Sequence, residues 1–498
     1  MRRRTPSRFD IYTRKIIYYR IKVKGFKMVT VKKQIILNIA LFILLVSQAS
    51  TKDRPNVIII MADDLGAESI GCYGATGFLT PNIDRLAEQG AVLDNAYGTP
   101  SCSPSRAMLL TGLYTNTTGI LERLGKGTPN CLPSHIPTFA KLFKENGYVT
   151  AISGKWHLGD FDHYPEHPTS HGFDEYFMFA KYYNFEEHNC YYNPMVYMDG
   201  MLKEFKGKYG PDLFCDNICD FMEANKDHQF MAYYPMVLTH KPFHKPPQIE
   251  GKVRHNLPAN CDKNDNSFGL MVSYADLLVG RILNKIDELG IKDNTIVIFT
   301  ADNGTPAMIT SHLGDLRVKG GKLYLKESGW RVPYIMRWPG KIKSGNRDSF
   351  FMHADLFPTL AALTGLSMTS EVDGMDLSHN LLGKPGNDRE YAYLGWEGGH
   401  FMVRNKRFEI HEDKRFYDVP VSSNKERYSE KEIDPKSFPE TYKRMNKVMQ
   451  EYMKIGKKDN SYTIIPFKEH KKYKLKAAAE AGKVLKTLKN KEHHDKEK

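Results

Sequence analysis

Asn56-Val57-Ile58-Ile59-Ile60-Met61-Ala62-Asp63-Asp64 is an unbroken apolar, β-branched run that stops on two carboxylates. Such a run reads as a buried strand, and its C-terminal end is where open α/β sheets place their ligands. The pattern recurs downstream, where the apolar run Thr295–Thr300 leads into Ala301-Asp302-Asn303-Gly304. Adjacent carboxylates repel each other, so a buried pair calls for a cation. Asp63, Asp64, Asp302 and Asn303 together offer three carboxylates and an amide oxygen. That all-oxygen set suits Ca²⁺ or Mg²⁺ rather than Zn²⁺. Either pair alone would read as a solvated turn with a capping Asp; two pairs closing two strands read as one metal site.

Working outward, short apolar strands alternate with helical patterns from residue 55 to about 385, as an α/β sandwich requires. Asp355 to Gly365 reads as a helix closed by glycine. Gly, Asp, Pro and Asn become frequent near 370–390, which marks a linker, and residues 391–420 alternate enough for two or three strands. After 422 the chain is charged and helical. At 498 residues it is long enough for one large core and a smaller appended domain, and it contains no repeat.

Four further stretches carry chemistry-bearing residues. Cys102-Ser103-Pro104-Ser105-Arg106 runs on into Ala107-Met108-Leu109-Leu110-Thr111-Gly112. Gly154-Lys155-Trp156-His157-Leu158-Gly159 follows the apparent strand Val149–Ile152. On a strand-like backbone residues two apart face the same side, so Lys155 and His157 address one site while Trp156 packs away. Met231–Pro242 ends in Thr239-His240-Lys241-Pro242, with His244 as a nearby competitor for the role of His240. Gly320-Gly321-Lys322 precedes Glu327-Ser328-Gly329-Trp330-Arg331-Val332-Pro333.

In this order, the five constellations resemble the type I, formylglycine-dependent sulfatases of the alkaline-phosphatase superfamily. The resemblance covers most of residues 53–385, including Pro81–Ala87 and Ser170–Tyr176. The family usually carries glycine where Ser328 stands, and Arg331 is left structural. Beyond 385 only Phe416-Tyr417-Asp418 matches, and Val419-Pro420-Val421 replaces the usual continuation. The fold implied is α/β: a large mixed β-sheet sandwiched between helices, with a smaller C-terminal α+β domain of antiparallel sheet plus helix. The expected organisation is a non-native or extended N-terminal leader at 1–27, a signal peptide at 28–49, a catalytic domain at 50–385, a C-terminal α+β subdomain at 386–467 and a Lys-rich helical or disordered tail at 468–498.

The resemblance implies hydrolysis of sulfate monoesters, and the chemistry explains the residue types. A sulfate monoester is a poor electrophile whose oxygens repel a nucleophile. Its cleavage needs an activated nucleophile, positive charge around the sulfuryl oxygens and an acid for the leaving alcohol. Cys102 would be oxidised to formylglycine (3-oxoalanine) by a formylglycine-generating enzyme. Asp63, Asp64, Asp302 and Asn303, together with the residue made from Cys102, would hold one Ca²⁺ or Mg²⁺. Arg106 would polarise the hydrated aldehyde, and Asp302 would accept the attacking hydroxyl's proton. Lys155, His240 and Lys322 would neutralise the sulfuryl oxygens. His240 or Lys322 would protonate the leaving group, and His157 would help the hydrate return to aldehyde.

The formal charge of +13 invites a nucleic-acid reading, but its distribution removes that class. Residues 1–27 carry ten Lys/Arg against one acid, Lys32 and Lys33 add two, and from Lys468 eleven Lys face five acids, so the body is at about −4. Lys32-Lys33, the apolar stretch Ile35–Val46 and Ser47-Gln48-Ala49 read as a signal peptide starting at Met28, cleaved after Ala49. The expected location is secreted or periplasmic, with no stable membrane insertion after cleavage. Six cysteines besides Cys102 allow three bridges in fifteen connectivities, and Cys215 and Cys219 have the i,i+4 spacing of a helical metal pair. Asn116-Thr117-Thr118 and Asn303-Gly304-Thr305 are glycosylation sequons. Sulfated carbohydrate is the leading substrate, with the outer pocket wall expected from 163–171, 181–192 and 397–400. A phosphodiester or phosphonate monoester hydrolase on the same fold is the alternative, and stronger phosphate than sulfate chemistry would mark it. A non-catalytic binding protein would leave some of these positions unfilled.

Overall fold

The computed structural model describes residues 54–456 except 125–128, 162, 181–189, 249–250, 397–398 and 421–424. The expected leader, signal peptide and Lys-rich tail lie outside the described residues. Among those described, no helix is long and apolar enough to cross a membrane.

The opening run forms strand β1 (Asn56–Ala62), whose seven residues are all buried. Its isoleucine triplet shows no solvent exposure, a burial of about 1.5–3 kcal/mol per side chain. The remaining strands of the large sheet are β2 (Ala91–Tyr97), β3 (Val149–Gly154), β4 (Glu175–Phe179), β5 (Met195–Met198), β6 (Met201–Glu204) and β7 (Phe230–Pro235), then β8 (Thr295–Ala301), and, past the separate hairpin β9 (Thr310–Leu313) and β10 (Leu316–Lys319), β11 (Tyr334–Arg337) and β12 (Gly345–Met352). Their order is β12-β2-β11-β8-β1-β7-β3-β4-β5-β6. The central strands β8, β1, β7, β3 and β4 run parallel, while β11, β5 and β6 pair antiparallel to their neighbours. The sheet is therefore mixed, as expected.

Among the described residues, six helices of seven or more residues flank it: α1 (Pro81–Glu88), α2 (Cys102–Thr111), α3 (Phe139–Glu145), α4 (Gly210–Ala224), α5 (Lys263–Glu288) and α6 (Leu356–Thr364). Within these, α1 and α4 contact α5, while α2, α3 and α6 contact one another. Strand β7 shows why both faces need cover. Tyr233 packs against Phe139 of α3 with ring centroids 6.1 Å apart, and its neighbour Tyr234 donates from its hydroxyl to Pro211 O of α4 at 3.3 Å. Consecutive side chains leave a strand on opposite faces, so both tyrosines are buried only if each face carries helices. The helix read at Asp355–Gly365 runs Leu356–Thr364 and ends on Gly365, whose φ of 67° is the left-handed cap that glycine adopts freely.

The C-terminal region holds a five-stranded antiparallel sheet: β13 (Ala392–Trp396), β14 (His400–Arg404), β15 (Phe408–His411), β16 (Phe416–Asp418) and β17 (Lys431–Glu432), with α7 (Pro439–Met453) packed on it. That exceeds the two or three strands read from alternation, because β16 and β17 are too short to show a period. A second apolar core joins Met108 of α2, Tyr97 and Trp330 to Met402, Ile410, Met445 and Tyr452. The C-terminal sheet thus shares its core with the helix that begins at Cys102.

Asn116, the asparagine of the first sequon, makes the join explicit. It is 7% exposed, and its Nδ2 donates to Tyr452 O in the last turn of α7 at 3.1 Å and to Ile455 O just beyond it at 2.8 Å. In the folded protein this amide is a structural tie, out of reach of a glycan. Asn116→Ala removes both bonds and strands two carbonyls, so the free energy of unfolding should fall by about 1–3 kcal/mol. A urea titration checks this, and an unchanged midpoint would show that the tie contributes nothing.

Candidate active site

Because β8, β1, β7 and β3 are adjacent and parallel, their carboxyl ends open onto one edge of the sheet. The backbone continues the ladder beyond the strands. Asp302 N donates to Ala62 O at 3.0 Å, Met236 N to Met61 O at 2.8 Å and Lys155 N to Pro235 O at 2.7 Å. Asp63 exchanges bonds with the β7 extension, its N reaching Leu238 O at 2.7 Å and its O accepting from Thr239 N at 2.6 Å. Asp64 then turns into the left-handed region at φ 61°, and its N donates to Asp302 Oδ1 at 3.0 Å. Non-glycine residues held there persist where the surroundings over-determine them, which happens preferentially at functional sites.

Cys102 opens α2 and is 3% exposed. Its Sγ lies 3.7 Å from Asp63 Oδ1, 3.9 Å from Asp64 Oδ1, and 3.6 Å from both Lys155 Nζ and Lys322 Nζ. One helical turn on, Arg106 is buried with its Nε and Nη2 donating to Asp302 Oδ2 at 3.0 and 2.6 Å and its Nη1 to Lys155 O at 3.1 Å. Arg106 thereby clamps α2 to β8 and to the Lys155 turn. Asp302, its two oxygens taken by Arg106 and by Asp64 N, is pushed up by burial but drawn further down by Arg106 and Lys155, to about 2. So engaged, it has little basicity left.

Lys155 pairs with Asp63 at 2.6 Å, and Lys322 pairs with Asp64. The chain reaches Lys322 through Gly320 and Gly321, where an added Cβ would sit 2.2 Å from Pro306 O and 2.5 Å from Gly329 N, so side chains are excluded by backbone. Ser328, where glycine was expected, is accommodated: its Oγ donates to Lys319 O at 3.0 Å inside the short helix Glu327–Trp330. Burial alone would lower both ammonium groups, yet the carboxylates, Asp63 for Lys155 and Asp64 for Lys322, raise them above the ordinary lysine value. His240 Nε2 stands 3.8 Å from Asp64 Oδ2 while its Nδ1 lies 2.6 Å from Lys241 O. Burial, with Lys155 and Lys322 against it, lowers this imidazole to about 3 despite Asp64, so it is neutral at pH 7. The Cys102 thiol is pushed up to about 12 by burial and Asp302, the opposite of an activated thiolate.

The strand-like reading of Lys155–His157 needs correction. β3 ends at Gly154, whose φ of 129° and 2.0 Å Cβ approach to Pro235 O demand glycine, and His157 takes a left-handed φ of 58°. Lys155 reaches Cys102. His157 is fixed through its carbonyl, which accepts from Ser103 Oγ at 2.8 Å. Trp156 packs away as expected, its Nε1 donating to His167 Nδ1 at 2.7 Å, with the His171 ring 4.4 Å from that of His167. Both histidines are buried, so they support the Lys155 turn and do not form an outer wall. His244 is also turned away, its Nε2 2.9 Å from Tyr209 OH and its ring 4.1 Å from that of Tyr191. Residues 181–189 and 397–398 of the other expected wall segments lie outside the described residues.

Sequence reasoning passed over several supports. Tyr191 OH donates to Val237 O at 3.0 Å and also meets His240 O, bracing the His240 segment. Thr239 Oγ1 donates towards the Asp63 and Asp64 carbonyls, and Thr305 Oγ1 accepts from Gly66 N at 3.0 Å. His353 Nε2 lies 3.0 Å from Ala301 O, just behind Asp302. None belongs to a local motif that could have revealed it. None of the seven cysteines is in a disulfide, and the only cluster among the described residues with metal-ligand geometry is Asp63, Asp64, Cys102 and Asp302.

Those four ligand atoms lie within 4.8 Å of one another. Asn303 adds a fifth: it is fully buried, its Nδ2 donates to Asp64 Oδ1 at 2.9 Å, and its Oδ1 has no hydrogen-bond partner. An orphaned buried amide oxygen beside three buried carboxylates is a donor set that fits a hard divalent cation. The same burial puts the second sequon beyond glycosylation in the folded state.

A family model described as Sulfatase matches residues 55–366. The human protein named steryl-sulfatase is 30% identical over 445 residues, covering 71% of this chain and 74% of its own length. The N-acetylgalactosamine-6-sulfatase of Canis lupus familiaris is 32% identical over 412 residues, covering 72% and 74%. Among solved structures, Ps i-CgsB in complex with k-i-k-neocarrahexaose superposes with a TM-score of 0.70 at 26% identity, covering 85% of this chain and 98% of that one.

The imidazole pair under Trp156 generates a pH dependence. Burial, aided by His171, lowers His167 from 6.5 to about 3, and burial with Lys141 lowers His171 to about 4. Because the unfolded chain takes up these protons first, the stability held in the neutral pair is complete above pH 6.5 and drains away as pH falls towards 4. Thermal midpoints measured across that window should fall, and should fall less in His167→Gln. Equal slopes would remove the pair from the account.

Proposed function

The chain belongs to the type I sulfatase family of the alkaline-phosphatase superfamily and is a sulfuric ester hydrolase; from that premise we propose that it is an exported enzyme that removes sulfate from sulfated carbohydrate, using a formylglycine made from Cys102 and a bound Ca²⁺ or Mg²⁺. One observation carries the reading. Two ammonium groups, on Lys155 and Lys322, stand 3.6 Å from Cys102 Sγ, with three carboxylates behind them.

A formylglycine hydrate at position 102 would supply a nucleophilic hydroxyl and a second hydroxyl through which the aldehyde is restored. A divalent cation held by Asp63, Asp64, Asp302 and Asn303 Oδ1 would supply Lewis acidity beside position 102 and release Lys155 and Lys322 from the carboxylates for the sulfuryl oxygens. The chain's own residues do the rest. Lys155 and Lys322 draw the sulfuryl oxygens towards position 102 and offset their charge, in a site dry enough to strengthen the attraction. His240, 22% exposed at its side chain, faces the side from which substrate enters and completes the sulfate contacts. Lys322, charged in this structure, holds a proton ready for the leaving oxygen, and His240 is the other group within reach of it. His157 takes the proton released as sulfate departs. Arg106 is a positioning residue, keeping Asp302 ionised and the Lys155 carbonyl in place.

Carbohydrate is favoured by the relatives named for N-acetylgalactosamine-6-sulfate and by the neighbour solved with a neocarrahexaose. Export follows from the apolar stretch after Met28, and conversion of Cys102 calls for a formylglycine-generating enzyme.

The test is release of inorganic sulfate from sulfated saccharides, a steryl sulfate and an aryl sulfate, after co-expression with a formylglycine-generating enzyme. Parent protein should release sulfate from a saccharide, and Cys102→Ala should lose at least about three orders of magnitude. Turnover of a phosphonate monoester or phosphodiester, with no sulfate released, would transfer the chain to the alternative chemistry. For the metal, chelation should lower the thermal midpoint and added Ca²⁺ restore it, with the response reduced in Asn303→Ala. A midpoint indifferent to chelator and Ca²⁺ would empty the proposed site.

A further inference from the structure

Strand β8 delivers Asp302 and Asn303, and the hydrogen bond that would close its last rung cannot form. Tyr334 of β11 stands opposite Thr300 in the antiparallel ladder. It turns its own N–H and C=O away from β8, to the Tyr73 hydroxyl at 2.8 and 3.1 Å. The next hydrogen-bonded rung therefore belongs to Ala301, and the same register sets Pro333 opposite it. Ala301 O points to that side, because the N–H of the same peptide unit, on Asp302, goes the other way to Ala62 O at 3.0 Å. Proline has no N–H to give. A buried carbonyl is thus left open at the residue before the metal ligands.

His353 supplies the missing donor. Its Nε2 lies 3.0 Å from Ala301 O, so that nitrogen carries the proton and donates. Gly98 leaves the ring room: an added Cβ would sit 2.8 Å from His353 Nε2 and 2.6 Å from Asp302 O. Behind the ring, Asp355 holds the turn His353–Asp355 by accepting from Met352 N, Met375 N and Arg389 Nε, each at 2.8 Å. The second ring nitrogen goes unused. His353 Nδ1 is buried with no hydrogen-bond partner, a loss of about 1–3 kcal/mol. An apolar side chain of similar size would fill the space without that loss, so packing alone does not call for histidine. The open carbonyl of Ala301 does.

We infer that His353 is a positioning residue for the cation. By standing in for the amide that Pro333 lacks, it fixes the Asp302–Asn303 turn, so that the Asp302 carboxylate and Asn303 Oδ1 converge on one ion with Asp63 and Asp64. The inference rests on the metal reading above and adds to it a residue, far along the chain and outside every motif, that sets how tightly the ion is held.

The experiment titrates Ca²⁺ into chelator-stripped protein and follows the thermal midpoint. The concentration giving half of the Ca²⁺-dependent rise should increase about 10- to 100-fold in His353→Leu, which keeps the volume and loses the donor. His353→Gln, whose amide nitrogen reaches as far as Nε2, should stay near the parent. Pro333→Ala in the His353→Leu background returns an N–H opposite Ala301 and should recover most of the loss. If His353→Leu does not fold, His353→Asn carries the same test, since its amide reaches only as far as Nδ1. A histidine that merely packs would lower the midpoint equally with and without Ca²⁺ and leave the half-point where it was. That result would overturn the inference and leave the cation site standing. A parent midpoint indifferent to Ca²⁺ would overturn both.

Discussion

Three carboxylates share one dry edge of the large sheet, and much of the surrounding structure exists to make that tolerable. Asp63, Asp64 and Asp302 are each at most 1% exposed, and like charges this close cannot all stay ionised without partners. Arg106 comes from α2, Lys155 from the end of β3 and Lys322 from the Gly-Gly turn, one cation for each acid, from three distant parts of the chain. Arg106 is placed by a regular helix, whereas each lysine is placed by backbone that only glycine can follow. The site is thus a charge balance first, and the fold is the scaffold that keeps it closed.

A second charge cluster ties that scaffold to the C-terminal sheet. Glu327, fully buried, accepts from Arg404 at 2.6 Å and from Tyr97 OH at 3.2 Å, with Arg427 and Arg331 at 3.5 and 3.9 Å. Arg404 belongs to β14, Tyr97 to β2, and Glu327 follows Lys322 by five residues. Breaking one partner of such a group leaves another charge buried and alone, at about 3–5 kcal/mol. Through it the smaller sheet fixes the height of the Lys322 turn.

The central sheet was legible in the sequence because β1 and β8 are buried on both faces and need no alternation to be seen. Their terminal acids, Cys102, Arg106 and the lysines were legible because each lies in a short local pattern. What escaped was produced by tertiary packing. Tyr191, Thr239 and His353 act through contacts 46 to 176 residues away, for which a single chain carries no local sign. The Lys155–His157 turn was misread as extended because Gly154 breaks the strand by crowding against Pro235, a neighbour that sequence does not display. His167 and His171 looked like surface residues by composition, yet Trp156 and the Leu132 carbonyl turn them inward.

The order in which the chain is made gives the tie at Asn116 another meaning. β1 lies between strands 174 and 239 residues further on, so its neighbours are made long after it. Contacts so distant along the chain close late and make folding slow. The partners of Asn116, Tyr452 and Ile455, come almost last. Until they arrive, α2 lacks the helix that completes its second core. The helix that opens on Cys102 is thus finished only when residues 336 and 339 positions beyond Asn116 have folded back, and a change at the end of α7 would reach α2 without touching the site.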